Sequence, residues 1–291
     1  MMSLTLGEVR VTRVVEIGRS TFPTASMLPA STPDAIARHH GWLKPFWDDA
    51  TGDLGSRIGT WIVRTPEHLV LIDTGVGNDK KRDNALWNLR QGGFLTDLEA
   101  AGGTPEQVDL VVITHMHVDH VGWNTRLVDD RWVPTFPRAR YIFVGEEWSF
   151  WKHESARGGE SGCIDDSVLP VVAAGQAELV DDTHRIDPWL RLEPSVGHTP
   201  GHVSVRLSTR DGEAVFSGDL MHRVVQVAEP EWSSRFCYDG ARAARTRRDF
   251  VERHADSGTL ILPAHFPQPG YIVRTSEGLR FEGRNSSQAE N

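Results

Sequence analysis

Four side chains able to bind a metal stand within six positions of one another in Thr114-His115-Met116-His117-Val118-Asp119-His120. Imidazole nitrogens together with a carboxylate suit zinc, and also manganese, cobalt or iron. In extended chain His115, His117 and Asp119 project to one side and His120 to the other, so the cluster can supply two neighbouring ions. A lone H-x-H is more often a surface loop or a structural zinc. Structural zinc sites, however, are mostly closed by cysteine, and Cys163 and Cys237 are far from the motif. Further candidates follow along the chain: His198 and His202 in Gly197-His198-Thr199-Pro200-Gly201-His202, Asp219 and His222 in Gly218-Asp219-Leu220-Met221-His222, and His265 in Pro263-Ala264-His265.

The elements around these residues read as short apolar strands that run into them. Residues 108–113 are β-branched and almost wholly apolar, the signature of a strand buried on both faces. Residues 190–194, 214–217 and 259–262 read as strands ahead of His198, Asp219 and His265. Open α/β sheets place their sites at such strand ends. Residues 68–72 form a further strand ending in Asp73-Thr74-Gly75, where the carboxylate orients a ligand histidine or simply makes an Asx turn. The remaining pattern predicts strands over 4–16, 58–64, 140–144, 178–181 and 203–207, an edge hairpin over 271–281, helices over 83–101 and 241–256, a helix start over 146–153, and a loop over 154–170. Residues 19–57 break the pattern with Pro23, Pro29, Pro33 and Pro45 among Phe22, Trp42, Phe46 and Trp47. A loop of that length is functional or disordered, and its aromatics speak against disorder. It is expected to be a lid over the metal site, with Phe22, Trp42, Phe46, Trp47 and Trp123 lining a substrate pocket; the same aromatics also suit a core edge or a homodimer interface.

Composition narrows the class. At 291 residues the chain is expected to be one domain spanning 1–291, with a core supplied by ten Trp and eleven Phe despite 39% hydrophobic residues. A formal charge of -9 disfavours nucleic acid, whose binders carry basic patches. No run is long and apolar enough for a bilayer span, and no signal peptide is read. Two cysteines make no disulfide framework, so the expected compartment is the cytoplasm.

The H-x-H-x-D-H motif, the later G-H-T-P-G-H, the G-D step and the final histidine together resemble the metallo-β-lactamase superfamily from Asp73 to His265. The resemblance implies an α/β fold, a four-layer αββα sandwich, with two divalent ions, zinc first among them. It implies that His115, His117 and His198 hold one ion, Asp119, His120 and His265 the other, and Asp219 bridges them. His202 is implied to support the site by hydrogen bonding. A hydroxide shared by two such ions is a sufficient nucleophile for opening a lactone or cleaving a carboxylic ester, with Asp119 or Asp219 passing the proton to the leaving group. Within the family, Asp219 stands where zinc β-lactamases commonly have Cys. The chain left after His265 is too short for the helical domain of glyoxalase II-like thioesterases. The ligand set is similar to that of acyl-homoserine lactonases, which typically carry Tyr where this chain has His222. That histidine looks more like the methyl parathion hydrolase-like group, and is expected to donate to a substrate oxygen or titrate at roughly pH 6 to 7. The implied substrate is a small hydrophobic ester or lactone. The alternatives are an organophosphate triester, or a non-catalytic member that binds metal and ligand.

Overall fold

The computed structural model describes residues 2–156 and 162–284. The chain divides into two compact units, one built from Met1–Ile17 and Ile58–His184, the other from Gly18–Arg57 and Arg185–Asn291.

The first unit carries a seven-stranded sheet in the order Met2–Leu6, Val9–Ile17, Ile58–Arg64, Leu69–Ile72, Leu110–Val112, Arg140–Val144, Ala177–Val180. The first four strands run antiparallel to their neighbours. From Leu69–Ile72 onward the pairing is parallel, with Leu71 opposite Val111 and Ile142 opposite Val112. Leu69–Ile72 and Leu110–Val112 are buried throughout, as an inner parallel sheet requires. Leu71, Val111 and Phe143 share a core with Phe94, Leu98, Trp123, Trp148, Ile164 and Val171.

The second unit carries a six-stranded sheet in the order Leu190–Pro194, Val203–Thr209, Gly212–Phe216, Leu260–Leu262, Gly270–Thr275, Gly278–Gly283. Only Gly212–Phe216 and Leu260–Leu262 pair in parallel, joined by the helix Gly240–His254, whose N-cap Asp239 accepts from Arg242 N at 2.8 Å. Residues 18–57 belong to this unit. They form the helices Thr24–Met27, Pro33–Ala37 and His40–Leu43 and the hairpin Trp47–Asp48/Asp53–Leu54. Met27, Leu28, Leu43, Phe46 and Leu54 lie in its core beside Val225, Phe266 and Phe281. Among the described residues, no helix is long and apolar enough to cross a membrane.

Two expectations need correction. The helix predicted over 83–101 exists only as Phe94–Ala100. Upstream, the Asn78 side chain clamps Gly92 through both its backbone groups (2.8 and 3.0 Å), and Leu89 N bonds to Lys80 O at a φ of 48°. Leu86 and Leu89, spaced with Phe94, Leu95 and Leu98 in the sequence like one apolar helix face, are exposed. The loop predicted over 154–170 is instead largely helical, as Gly145–Ala156, Gly162–Ser167 and Leu169–Ala173, with residues 157–161 outside the described set. Cys163, Ile164, Val168 and Val171 recur at helical spacing and are buried, so packing overrides the Gly- and Ser-rich composition nearby.

Candidate metal centre

In the first unit, the strand Leu110–Val112 delivers the chain to Asp73. Asp73 ends the neighbouring strand at a φ of 56°, a left-handed conformation that aspartate tolerates. Its carboxylate accepts from Thr114 N at 2.8 Å and Thr114 Oγ1 at 2.9 Å, and lies 2.8 Å from His120 Nδ1. The chain then turns rather than extending: His120 N donates to His117 O at 3.0 Å. The strict alternation expected for the motif is therefore lost. The His120 ring lies 4.1 Å from that of His115 instead of facing away, and the His117 ring lies 4.7 Å from it. The ligand atoms of His115 and His117, and likewise those of Asp119 and His120, fall within 4.8 Å of each other.

The turn rests on a second buried carboxylate. Glu16 accepts from Val76 N at 2.6 Å, Gly77 N at 3.2 Å and Trp123 Nε1 at 2.9 Å, with Arg90 Nε 3.7 Å away. Burial raises its pKa against the pull of those donors. Gly122 N and Trp123 N bond in turn to Gly75 O and Thr74 O, and a Cβ on Gly122 would lie 1.9 Å from the Val76 carbonyl carbon. The 73–77 loop and the 120–123 turn thus interlock backbone to backbone.

In the second unit, the 195–202 loop folds back on itself through Ser195 N to His202 O at 3.0 Å. It turns at Gly197, whose φ of 127° suits glycine and whose Cβ position would meet Ala243 N at 2.3 Å. Asp219, in the short helical turn Gly218–Leu220, is the hub. His265 Nε2 lies 2.9 Å from its Oδ1, and His222 Nε2 and His198 Nε2 lie 3.2 and 3.4 Å from its Oδ2. His202 stands behind. Its Nε2 accepts from Asp219 N at 3.0 Å, so its Nδ1 is the donor, 2.8 Å from Ser195 Oγ.

The ring anchoring discriminates among the histidines. His265 Nδ1 donates to Arg57 O at 2.9 Å, which turns Nε2 onto the Asp219 carboxylate. His120 Nδ1 is held by Asp73, which turns its Nε2 towards Asp119 Oδ1 at 3.7 Å. His115 Nδ1 lies 3.1 Å from Thr114 Oγ1 and its Nε2 lies 3.1 Å from His117 Nδ1. One nitrogen tied to the protein and the other turned inward is the arrangement of a metal-binding histidine. With Nδ1 donating to Arg57 O, Nε2 faces a carboxylate oxygen, a contact that a proton or a bound cation satisfies. The imidazole and carboxylate donors gathered here fit a divalent cation. His202 is different, because its Nε2 accepts from a backbone N–H, that of Asp219, instead of facing another ligand side chain.

Charge within the second unit is partitioned accordingly. Burial pulls His198 down, but its bonds to Asp219 and Cys237 prevail and hold it at about 9. Burial pushes His222 down to about 3, with Asp219 opposing and His198 and His265 adding to the fall. His222 is therefore neutral at pH 6 to 7, where the sequence expected it to titrate.

The structure brings Asp73, His115, His117, Asp119 and His120 together in the first unit, and His198, His202, Asp219, His222 and His265 in the second. The aromatics separate. Trp123 is stacked on Phe94 at 5.1 Å in the core of the first unit, and Phe46 lies against Phe281 at 5.8 Å in the core of the second. Phe22, Trp42 and Trp47 stay half-buried. Phe236, missed from sequence, packs its ring 5.3 Å from Phe22 and is exposed, beside Cys237, whose Sγ lies 3.5 Å from His198 Nδ1. Nothing local in its sequence pointed to the site.

A metallo-beta-lactamase superfamily model matches residues 57–265. An N-acyl homoserine lactonase from a Bacillus species is 22% identical over 161 residues, 51% of this chain and 57% of that protein. The acyl-coenzyme A thioesterase MBLAC2 of Homo sapiens is 27% identical over 191 residues, 61% of this chain and 63% of that protein. The chain thus spans less than two thirds of the curated relatives it matches. The solved structure of hydrolase AbOPH, in the beta lactamase superfamily, aligns over 97% of both chains with a TM-score of 0.79 and 26% identity. AidC, a dizinc quorum-quenching lactonase with a bound product, aligns over 98% of this chain and 97% of its own with a TM-score of 0.76; at 20% identity that likeness shows the fold alone. The two large sheets and the family match together establish the metallo-β-lactamase fold expected from the motif. The chain belongs to the metallo-β-lactamase superfamily.

Proposed function

We propose that this protein is a dinuclear metal-dependent hydrolase that opens a lactone or cleaves a carboxylic ester of a small hydrophobic substrate. In this reading His115, His117 and His198 hold one cation and Asp119, His120 and His265 the other. Asp219 is shared, and zinc is the first choice of metal. The observation that carries the reading is the anchoring of His120 and His265 through Nδ1, which turns Nε2 towards a carboxylate within clusters of His and Asp ligand atoms suited to a divalent cation. Family membership and the activities of the lactonase and thioesterase relatives point the same way.

When bound, a pair of divalent cations supplies Lewis acidity at the scissile carbonyl and a water acidic enough to ionise near neutral pH. The chain's own residues do the rest. Asp73, Thr114 and the Arg57 carbonyl fix the imidazole tautomers. His202 holds the Asp219 main chain. Asp119 is half-buried whereas Asp219 is buried among three imidazoles, which supports Asp119 over Asp219 as the carboxylate that carries a proton to the leaving alkoxide. Half-buried Phe22, Trp42 and Trp47 supply apolar surface for the substrate.

A second reading, hydrolysis of an organophosphate triester, rests on the resemblance of His222, which lies 3.2 Å from Asp219, to the methyl parathion hydrolase-like group. The test is metal content by mass spectrometry with turnover of one γ-lactone, one aryl ester and one phosphotriester. About two metals per chain and chelator-sensitive turnover are expected, and the preferred substrate selects between the readings. Asp219→Ala should lower metal content and activity together. Activity near the parent level in that variant overturns the shared-carboxylate site.

A further inference from the structure

Between the two ligand histidines of the motif sits Met116, and its peptide is held from every side by residues the proposed chemistry does not use. Met116 N donates to Glu147 Oε1 at 2.9 Å. Met116 O faces the thiol of Cys163 at 3.7 Å. The Met116 side chain is buried in the core of the first unit. Glu147 is itself only 2% exposed, and the same oxygen accepts from Trp151 Nε1 at 2.7 Å. The Trp151 ring then meets His117 edge-on at 5.3 Å.

Glu147 and Trp151 are one helical turn apart on Gly145–Ala156, which begins directly where the strand Arg140–Val144 ends. That strand pairs in parallel with Leu110–Val112, the strand that delivers the motif. The parallel register therefore carries the start of this helix to the motif loop, and the i, i+4 spacing stacks both side chains on one face. A carboxylate buried to this degree is costly unless its acceptor capacity is used. Here that capacity is spent on the peptide linking His115 to His117 and on the ring that abuts His117.

We infer that Glu147 and Trp151 are positioning residues for the His115/His117 pair: Glu147 sets the backbone between the two ligands and Trp151 sets the plane of the His117 imidazole. The inference rests on the proposed role of His115 and His117 as ligands. Removing partners of this kind typically lowers metal affinity 10–100-fold. Glutamine at 147 retains a carbonyl oxygen able to accept from both N–H groups, so the acceptor rather than the charge is what matters.

The test uses the full chain with Co²⁺ as the probe, read by titration of its visible absorption, alongside amide hydrogen exchange at Met116 and the ring ¹⁵N shifts of His117. Glu147→Ala and Trp151→Ala should weaken one of the two Co²⁺ binding steps about 10–100-fold and shift its absorption bands. Glu147→Gln should stay near the parent, and Glu147→Ala should speed exchange at Met116. Trp151→Ala trims a half-buried side chain and keeps the inference testable if Glu147→Ala fails to fold. Parent-like Co²⁺ affinity and spectrum in Trp151→Ala, or Glu147→Gln as impaired as a folded Glu147→Ala, overturns the inference. A parent chain that binds no Co²⁺ overturns the hydrolase reading instead. Met116 exchange and the His117 shifts then still decide whether Glu147 and Trp151 order the loop.

Discussion

Replacing Asp73 by asparagine isolates what its charge and acceptor pattern do for the site. Asparagine has the same shape and also tolerates the left-handed backbone at this position, so the φ of 56° adds no strain. The difference lies in hydrogen bonding. Asp73 offers acceptors to three donors: Thr114 N, Thr114 Oγ1 and His120 Nδ1. Asparagine has one acceptor and one donor group. If its carbonyl faces Thr114 N, its NH₂ faces His120 Nδ1. His120 must then give up the Nδ1 proton and take the tautomer protonated on Nε2, the nitrogen a metal needs. If the amide flips, its NH₂ confronts Thr114 N, and a buried backbone donor loses its partner at about 1–3 kcal/mol. The protein must take one cost or the other.

In the first case metal affinity falls by about 10–100-fold, or about 1.4–2.7 kcal/mol, the usual range for losing such a partner. Thermal stability should fall by less, because the Thr114 N contact survives and the NH₂ can still donate to Thr114 Oγ1 and to the switched His120 ring. The assay is paired: stepwise Zn²⁺ affinity with a chromophoric chelator as competitor, and thermal unfolding of the metal-free chain. One weakened step with a nearly unchanged melting temperature is expected. Two parent-like binding steps would refute the claim that the Asp73 carboxylate sets the His120 tautomer.

Two further outcomes follow from the second unit. His254 is buried beside Phe250, and burial with Arg206 and Arg253 pushes its pKa down to about 4 against the pull of Glu193 and Glu213. The unfolded chain takes up a proton there below about pH 6.5 while the fold does not, so stability falls with pH across that window, by up to about 2 kcal/mol at pH 5 from 1.5 pH units at 1.36 kcal/mol each. Urea unfolding at pH 7.5 and 5 should show His254→Leu losing less stability than the parent, and equal losses would remove His254 as the cause. Phe236→Ala should raise KM about 3–10-fold for a long-chain or aryl ester, the effect of about 1 kcal/mol of lost apolar contact. Its kcat, and its KM for a short γ-lactone, should not change; an equal change for both substrates would exclude Phe236 from recognition of the apolar group.

The strand ends were legible because their signal is local. Val108 to Ile113 is a β-branched run that can hardly be anything but a buried strand, and the histidines stand directly after it. Asp73 was legible for the same reason, lying one residue beyond its strand. Its partner His120 was readable only as a possibility, because the side on which His120 falls depends on the turn closed by His120 N and His117 O, and that turn replaces the extended alternation. Leu86 and Leu89 mimicked a helical face, yet the segment is organised by Asn78 and the buried Lys80, polar residues whose contacts leave no periodic trace. Phe46 and Trp123 looked like pocket residues because an aromatic side chain suits a core and a pocket equally well. Glu147 was invisible as a site residue. Its partner amide is 31 positions away, and only the parallel register of two strands brings them together.

Two residues that went unread, Glu16 and Glu147, share a physical role with Asp73, which was read. Glu16, Asp73 and Glu147 are buried carboxylates of the first unit, each contributed by a different element, and each accepts backbone N–H groups from the loops around the motif: Val76 and Gly77, Thr114, and Met116. Apolar packing could bury these loops but could not orient them, since dispersion contacts are nearly non-directional, whereas a carboxylate accepts along defined directions. The arrangement carries a cost, because burying carboxylates without compensating cations raises the energy of a fold. Arg90 beside Glu16 answers part of that charge. In the proposed dinuclear site the metal ions would answer more, so Asp73, which shapes a ligand loop and holds His120, would also favour cation binding electrostatically. Loop geometry and metal affinity should therefore be coupled at Asp73, whose carboxylate holds a ligand histidine directly: Asp73→Asn should weaken metal binding more than it weakens the fold.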